Sequence, residues 1–252
     1  MKVYFIGCGP GDKDLLTLKA KSLIEKSDVI IYAGSLIDKD ILSFAKVSAS
    51  LHDSAKLNLD QLTTLFNQAK EDNKLVARLH SGDTALYGAI NEQIAILDEL
   101  NIDYEVVPGV SSFLAAAASL KTELTAPDIS QSVIITRISG KTKVPEAESL
   151  SSFAKHKATI CIFLSIHKID EVVDELLSGY TQSTPIAVVY KASRSEELII
   201  RSSLGDIAKK VKDAKVSKTA LIIVGEALNN KNNVSKLYDK KFAHMFREAA
   251  KS

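Results

Sequence analysis

Short apolar runs alternate with longer amphipathic stretches along most of this chain, and that alternation constrains its fold most. Runs such as "KVYFIG" and "VIIY" are too short for helices and read as buried strands; the stretches between them repeat at the helical period. Strand and helix in turn imply βα units and a parallel sheet. In the first half, strands are expected at Lys2–Gly7, Val29–Tyr32, Lys74–Leu79 and Tyr104–Val107. Leu16, Ala20, Leu23 and Ile24 share one helical face, with Asp14 as the expected N-cap. Leu59–Glu71, Ala89–Leu100 and the alanine-rich Ser111–Leu120 also read as helices.

The segment "KTELTAPDIS" (Lys121–Ser130) loses the periodicity and contains Pro127, so a boundary is expected there, giving domains of residues 1–121 and 122–252. Strands follow at Gln131–Thr136, Thr159–Leu164, Pro185–Tyr190, Leu198–Ser202 and Ala220–Val224, with helices at Ile169–Leu177 and Leu204–Asp213. Leu198 comes too soon after Tyr190 for a crossover helix, so those two strands are expected to be antiparallel and the second sheet mixed. The asparagine-rich tail from Asn229 reads as a surface extension with a short helix at its end.

The chain has 252 residues, 46% of them hydrophobic and 25% charged, which are ordinary values for a globular protein of one large or two small domains. A net charge of +1 gives no global field favouring nucleic acid or an anionic membrane. No apolar run approaches the roughly 20 residues of a membrane span, and the N-terminus lacks signal-peptide anatomy; a cytoplasmic protein is expected. Cys8 and Cys161 have neither disulfide nor metal-ligand spacing and read as small buried residues, with no metal site expected.

The first strand ends in Gly7-Cys8-Gly9-Pro10-Gly11-Asp12, which invites comparison with the dinucleotide fingerprint G-x-G-x-x-G. Asp12 stands where the third glycine belongs, and Pro10 removes a backbone donor. No carboxylate follows the second strand at Tyr32-Ala33-Gly34-Ser35. These departures argue against a nicotinamide or flavin site. Two further loops, His80–Gly88 and Pro108–Ser112, also carry glycine after a strand. A tight turn, an Asp83 helix cap, or a cap at Ser111 or Ser112 explains each loop locally. Together they occupy the sheet edge where open α/β folds bind ligands.

The segments "GCGPGD", "SGDTALYG" and "PGVSSF", in this order, resemble the tetrapyrrole methylase family, which transfers a methyl group from S-adenosylmethionine to corrin or porphyrin precursors. The resemblance extends to about Leu228. It is closest in "YAGSL" (Tyr32–Leu36), "LHSGD", "LTAPDISQSVIITRISGKT" and "VVYKAS", which are similar to the branch that methylates C11 of precorrin-4 or its cobalt form in cobalamin biosynthesis. Three positions depart: Thr84 replaces a common proline, Lys141 a common arginine, and Ala89 stands where uroporphyrinogen methylases carry arginine.

The resemblance implies a two-domain α/β fold, with a mostly parallel N-terminal sheet, a mixed C-terminal sheet and an active-site cleft between them. It further implies S-adenosyl-L-methionine as cofactor, S-adenosyl-L-homocysteine as product, and a homodimer. Cofactor contacts are implied for Pro10, Ser81, Gly82, Asp83, Leu86, Ser111, Ser112, Leu164, Ala192 and Ala220. Leu86 and Leu164 read equally as core leucines. A flat macrocycle edged with carboxylates calls for cations, and Arg137, Lys141, Lys191 and Arg194 lie in the matched motifs; solvated surface charge is the alternative for each. No nucleophile–base constellation is present, so no catalytic residue is assigned, and His80 beside the second loop reads as structural. The rival readings are a methylase of the same fold acting elsewhere on the ring or on RNA, a nucleotide-dependent oxidoreductase, and a non-catalytic binding module.

Overall fold

Two five-stranded sheets carry the chain. A computed structural model describes residues 1–34, 36–229, 235 and 239–248. Its contacts divide the chain into one unit of Met1–Ala115 with Lys191–Glu196, and a second of Ala116–Tyr190 with Glu197–Ser252.

The first unit contains β1 (Lys2–Gly7), α1 (Leu18–Lys26), β2 (Val29–Tyr32), α2 (Lys39–Leu42), β3 (Ser50–Asp53), α3 (Leu59–Glu71), β4 (Leu75–His80), α4 (Asn91–Glu99) and β5 (Asp103–Val107). Helix α5 (Ser112–Leu120) carries the division between the units. The strand order is β3-β2-β4-β1-β5 and every pairing is parallel, as the βα alternation requires. One face of this sheet buries Val3, Phe5, Val76 and Leu97; the other buries Ile6, Ala20, Ile24, Ala77 and Leu79. Helices α1 and α4 therefore lie on opposite faces. The chain leaves β1 and its neighbour β4 towards opposite sides, which opens a crevice at their carboxyl ends.

Local chemistry accounts for the helix starts. Asn58 and Gln61 form a reciprocal capping box at α3, whose Leu62, Phe66 and Ala69 face the core. Asp14 does not cap α1: it lies in a short 3-10 turn whose start is capped by the Asp12 carboxylate, 2.9 Å from the Asp14 N–H. Thr17 caps α1 instead, accepting from the Ala20 N–H at 3.1 Å.

The second unit contains β6 (Val133–Thr136), α6 (Leu150–Ala154), β7 (Thr159–Ile162), α7 (Ile169–Leu176), β8 (Pro185–Tyr190), β9 (Leu198–Ser203), α8 (Ile207–Asp213) and β10 (Ala220–Val224). Its order is β6-β7-β10-β8-β9. Only β6 and β7 run parallel among these pairs, and β8 and β9 are antiparallel, so the sheet is mixed. Ile160, Ile162, Val172, Val188, Leu204 and Ile222 belong to its core. Of the expected tail extension, residues 239–248 are described as turns with a His244–Arg247 pairing; the chain end expected as a helix, 249–252, lies outside the described residues. No helix among the described residues is long and apolar enough to cross a membrane.

Candidate active site

The β1 and β4 loops are welded backbone to backbone. Gly9 N–H donates to the Gly82 carbonyl at 3.1 Å, and Gly82 N–H returns a bond to Gly9 at 2.7 Å. Both glycines have left-handed backbones, φ +73° and +68°. The β5 loop closes on the same point. A Cβ at Gly7 would lie 2.6 Å from the Gly109 nitrogen, and one at Gly109 would overlap the Gly82 carbonyl oxygen. Asp83 then ties the loops by side chain: Oδ1 accepts from Ala85 N–H and Oδ2 from Gly109 N–H, each at 2.8 Å. Pro10, Ser81, Gly82, Asp83, Leu86, Ser111 and Ser112 are thus brought to one sheet edge.

Lys191, Ala192 and Arg194 belong to the same unit. Ser193 Oγ accepts from the Asp12 N–H at 3.1 Å, and Arg194 Nη2 donates to the Leu36 carbonyl at 2.6 Å. The Arg194 side chain lies over Gly11, where an added Cβ would come within 2.6 Å of Nε. Lys191 Nζ pairs with Glu196 Oε1 at 2.6 Å, a contact that, with the Ser195 hydroxyl, holds the Glu196 carboxyl down at about 2. Another clasp fixes the chain after β2: Asp53 Oδ1 accepts from Gly34 N–H at 2.9 Å. Ser35, in the "YAGSL" motif, lies outside the described residues.

Arg137, Lys141, Leu164 and Ala220 belong to the second unit and gather at one end of its sheet. β6 and β7 end side by side, where the Phe163 N–H donates to Thr136 O at 2.8 Å and the Ile138 N–H to Ser165 Oγ at 3.0 Å. Ile222 of β10 pairs with Ile162 of β7, so Ala220 at the start of β10 and Leu164 just after β7 lie at the same end of the sheet. Leu164 is 63% exposed with φ +54°, which excludes the core reading for this leucine. Arg137 is committed to its own loop, with Nη1 donating to Ile138 O at 3.2 Å and Thr142 O at 3.0 Å. Lys141 is exposed.

Several of these loops also carry left-handed, non-glycine residues. Among the non-glycine residues with positive φ, Asn73, Asn101, Lys121 and Lys215 follow helix ends, where this conformation is ordinary. Tyr87, Ala89, Leu164, Lys191 and Ser193 instead lie in the loops where the site is expected, while Asp128 and Lys157 lie elsewhere and Thr219 directly precedes Ala220.

His80 is buried, and burial, with the neighbouring Arg78 charge, pushes its imidazole down to about 3 against the pull of a hydrogen bond with the Gly88 backbone. A base that weak is poorly matched to proton abstraction near neutrality. Cys8 and Cys161 are buried thiols pushed up to about 12 by burial. Residue spacing did not reveal Asp53, Ser193 or Gln93. Arg78 carried a signal, a cation inside an otherwise apolar strand.

A parallel sheet with glycine-lined loops at its switch point, paired in sequence with a mixed sheet, defines a class, and residues 2–208 match the family described as Tetrapyrrole (Corrin/Porphyrin) Methylases. The chain belongs to that family. It is 52% identical to the cobalt-precorrin-4 C(11)-methyltransferase of Methanocaldococcus jannaschii, over 99% of this chain and 97% of that protein. The X-ray structure of the cobalamin biosynthetic enzyme cobalt precorrin-4 methyltransferase superposes with TM-score 0.89 at 41% identity, covering 91% of this chain and 96% of that one. Uroporphyrin-III C-methyl transferase from Thermus thermophilus, complexed with S-adenyl homocysteine, superposes with TM-score 0.76 at 26% identity, covering 94% and 99%.

Proposed function

We propose that this chain transfers a methyl group from S-adenosyl-L-methionine to C11 of cobalt-precorrin-4 or precorrin-4, in cobalamin biosynthesis. The observation that carries the reading is the 52% identity, along 99% of the chain, to a protein named for that reaction. When bound, S-adenosyl-L-methionine supplies an already activated methyl group and is left as S-adenosyl-L-homocysteine.

The residues suit that cofactor. The close-packed backbones at Gly7, Gly82 and Gly109 leave the loop edge free of side chains at three positions. Asp83 spends one lone pair of each oxygen on a backbone N–H and keeps others for an ammonium group. Exposed Leu164 offers an apolar surface for adenine, and Ala220, at the same end of the second sheet, presents backbone with a minimal side chain. In this reading Pro10, Ser81, Gly82, Leu86, Ser111, Ser112 and Ala192 complete the cofactor contacts. Arg137, Lys141, Lys191 and Arg194 supply positive charge for the substrate carboxylates. The protein's work is alignment and exclusion of water, since neither reacting group needs covalent activation by a side chain. The proposal includes a homodimeric cytoplasmic protein without nucleic-acid or membrane partners, which rests on the resemblance and on composition.

The test is product analysis after incubation with S-adenosyl-L-methionine and, separately, cobalt-precorrin-4, precorrin-4 and uroporphyrinogen III. A new methyl group at C11 of either precorrin is the expected result. Methylation of uroporphyrinogen alone overturns the assignment.

A further inference from the structure

The turn after β4 rests on a buried polar relay that the proposed reaction leaves without a task. Arg78 is 7% exposed on the face of β4 that also carries Val76, and burial lowers its guanidinium to about 10. Among the described residues it forms no ion pair. Its Nε donates to Gln93 Oε1 at 2.9 Å, and its Nη1 donates to the carbonyls of Leu79 at 3.2 Å and Ile31 at 3.5 Å. Gln93 is 4% exposed, and its Nε2 donates to the Ala89 carbonyl at 2.7 Å. The amide has one sensible orientation: a guanidinium only donates and a carbonyl only accepts, so Oε1 faces Arg78 and Nε2 faces Ala89.

The turn that receives this bond is strained. Tyr87 and Ala89 have φ +57° and +50°, and a Cβ at Gly88 would overlap the Thr84 carbonyl. A left-handed non-glycine residue costs roughly 1–2 kcal/mol, so such a turn relaxes unless something holds it. The N-cap of α4, Ile90, has no side-chain hydrogen bond to offer. Gln93, in the first turn of α4, supplies one from its side chain.

We propose that Gln93 is a positioning residue for methyl transfer: oriented by Arg78, it pins the Ala89 carbonyl and holds the Thr84–Ala89 turn in the shape that presents Leu86 to the cofactor. The inference rests on the reading in which Leu86 contacts S-adenosyl-L-methionine. The competing role is purely structural, with Gln93 serving only as a partner for a buried guanidinium.

Gln93→Glu separates the two roles. An ionised glutamate beside Arg78 partners the guanidinium at least as well as glutamine, but it has no proton for the Ala89 carbonyl and sets oxygen against oxygen there. The expected result is a melting temperature close to that of the unaltered chain, with S-adenosylhomocysteine binding about tenfold weaker by calorimetry. KM for S-adenosylmethionine should rise more than kcat falls. Adding Ala89→Gly, which removes the strain, should restore binding. If Gln93→Glu does not fold, Arg78→Met with Gln93→Met replaces both partners by apolar groups and is compared with and without Ala89→Gly in the same way. Undiminished binding in the variant, or no recovery on adding Ala89→Gly, overturns the inference. Failure of the unaltered chain to bind S-adenosylhomocysteine overturns the functional reading itself.

Discussion

Asp83 holds Gly109 across 26 positions of sequence, its Oδ2 accepting the glycine N–H at 2.8 Å while Oδ1 accepts that of Ala85 at 2.8 Å. One carboxylate therefore shapes its own turn and anchors the neighbouring loop. Asp83→Asn exchanges one acceptor oxygen for an NH2 group, so one of the two backbone donors loses its partner. The expected cost is about 1–3 kcal/mol in urea denaturation, together with weaker S-adenosylhomocysteine binding. A variant equal to the parent in both measurements would mean that the loops keep their places without this carboxylate.

His80 gives the protein an acid limb of stability. Its imidazole is pushed from 6.5 down to about 3 in the folded chain, chiefly by burial. The unfolded chain therefore binds the extra proton first as pH falls. The stabilisation is complete above about pH 6.5, declines as pH drops below it, and is spent near pH 3. Its size is on the order of a few kcal/mol. Glu105 and Glu196, both held down at about 2 by lysine partners, lose their contributions at lower pH, mostly below 4.5. Between pH 6.5 and 4.5 the stability of the unaltered chain should fall while that of His80→Gln stays flat, and parallel curves would remove His80 from the account.

Arg194 reaches Leu36 O and covers Gly11, so its removal should be felt by the cofactor as well as by the tetrapyrrole. Arg194→Ala is expected to weaken S-adenosylhomocysteine binding several-fold, in line with one lost charged hydrogen bond, and to raise KM for the tetrapyrrole. An effect confined to the tetrapyrrole would make Arg194 a substrate ligand and nothing more.

Much of the fold was legible in local pattern. β1, β2, α3, β8 and β10 have the bounds that their apolar runs and helical period suggest. β3 was not legible, because "SLHD" is a short polar edge strand whose Leu51 points to solvent. The short helices α2 and α6 offer too few turns for a period to show. At the site, glycines announce the loops, but the contacts that fasten them are long-range. Gly34 meets Asp53 across 19 positions, and Asp12 meets Ser193 across 181. No window of sequence contains both partners of such a pair. Arg137 and Arg194 had the right chemistry for binding carboxylates, but neighbouring carbonyls also use their guanidinium groups.

The exchange of bonds between Gly9 and Gly82 is an antiparallel bridge that locks two loops just beyond the ends of two parallel strands. The floor beneath the loops is therefore main chain, which the genetic code cannot readily retune, since nearly every replacement at Gly7, Gly88 or Gly109 collides with backbone. Innovation in this chain is confined to its rim, to residues such as Leu86, Lys141 and Leu164 whose side chains are not built into that floor. A selection for altered ring preference should accumulate its changes there and leave the glycines untouched.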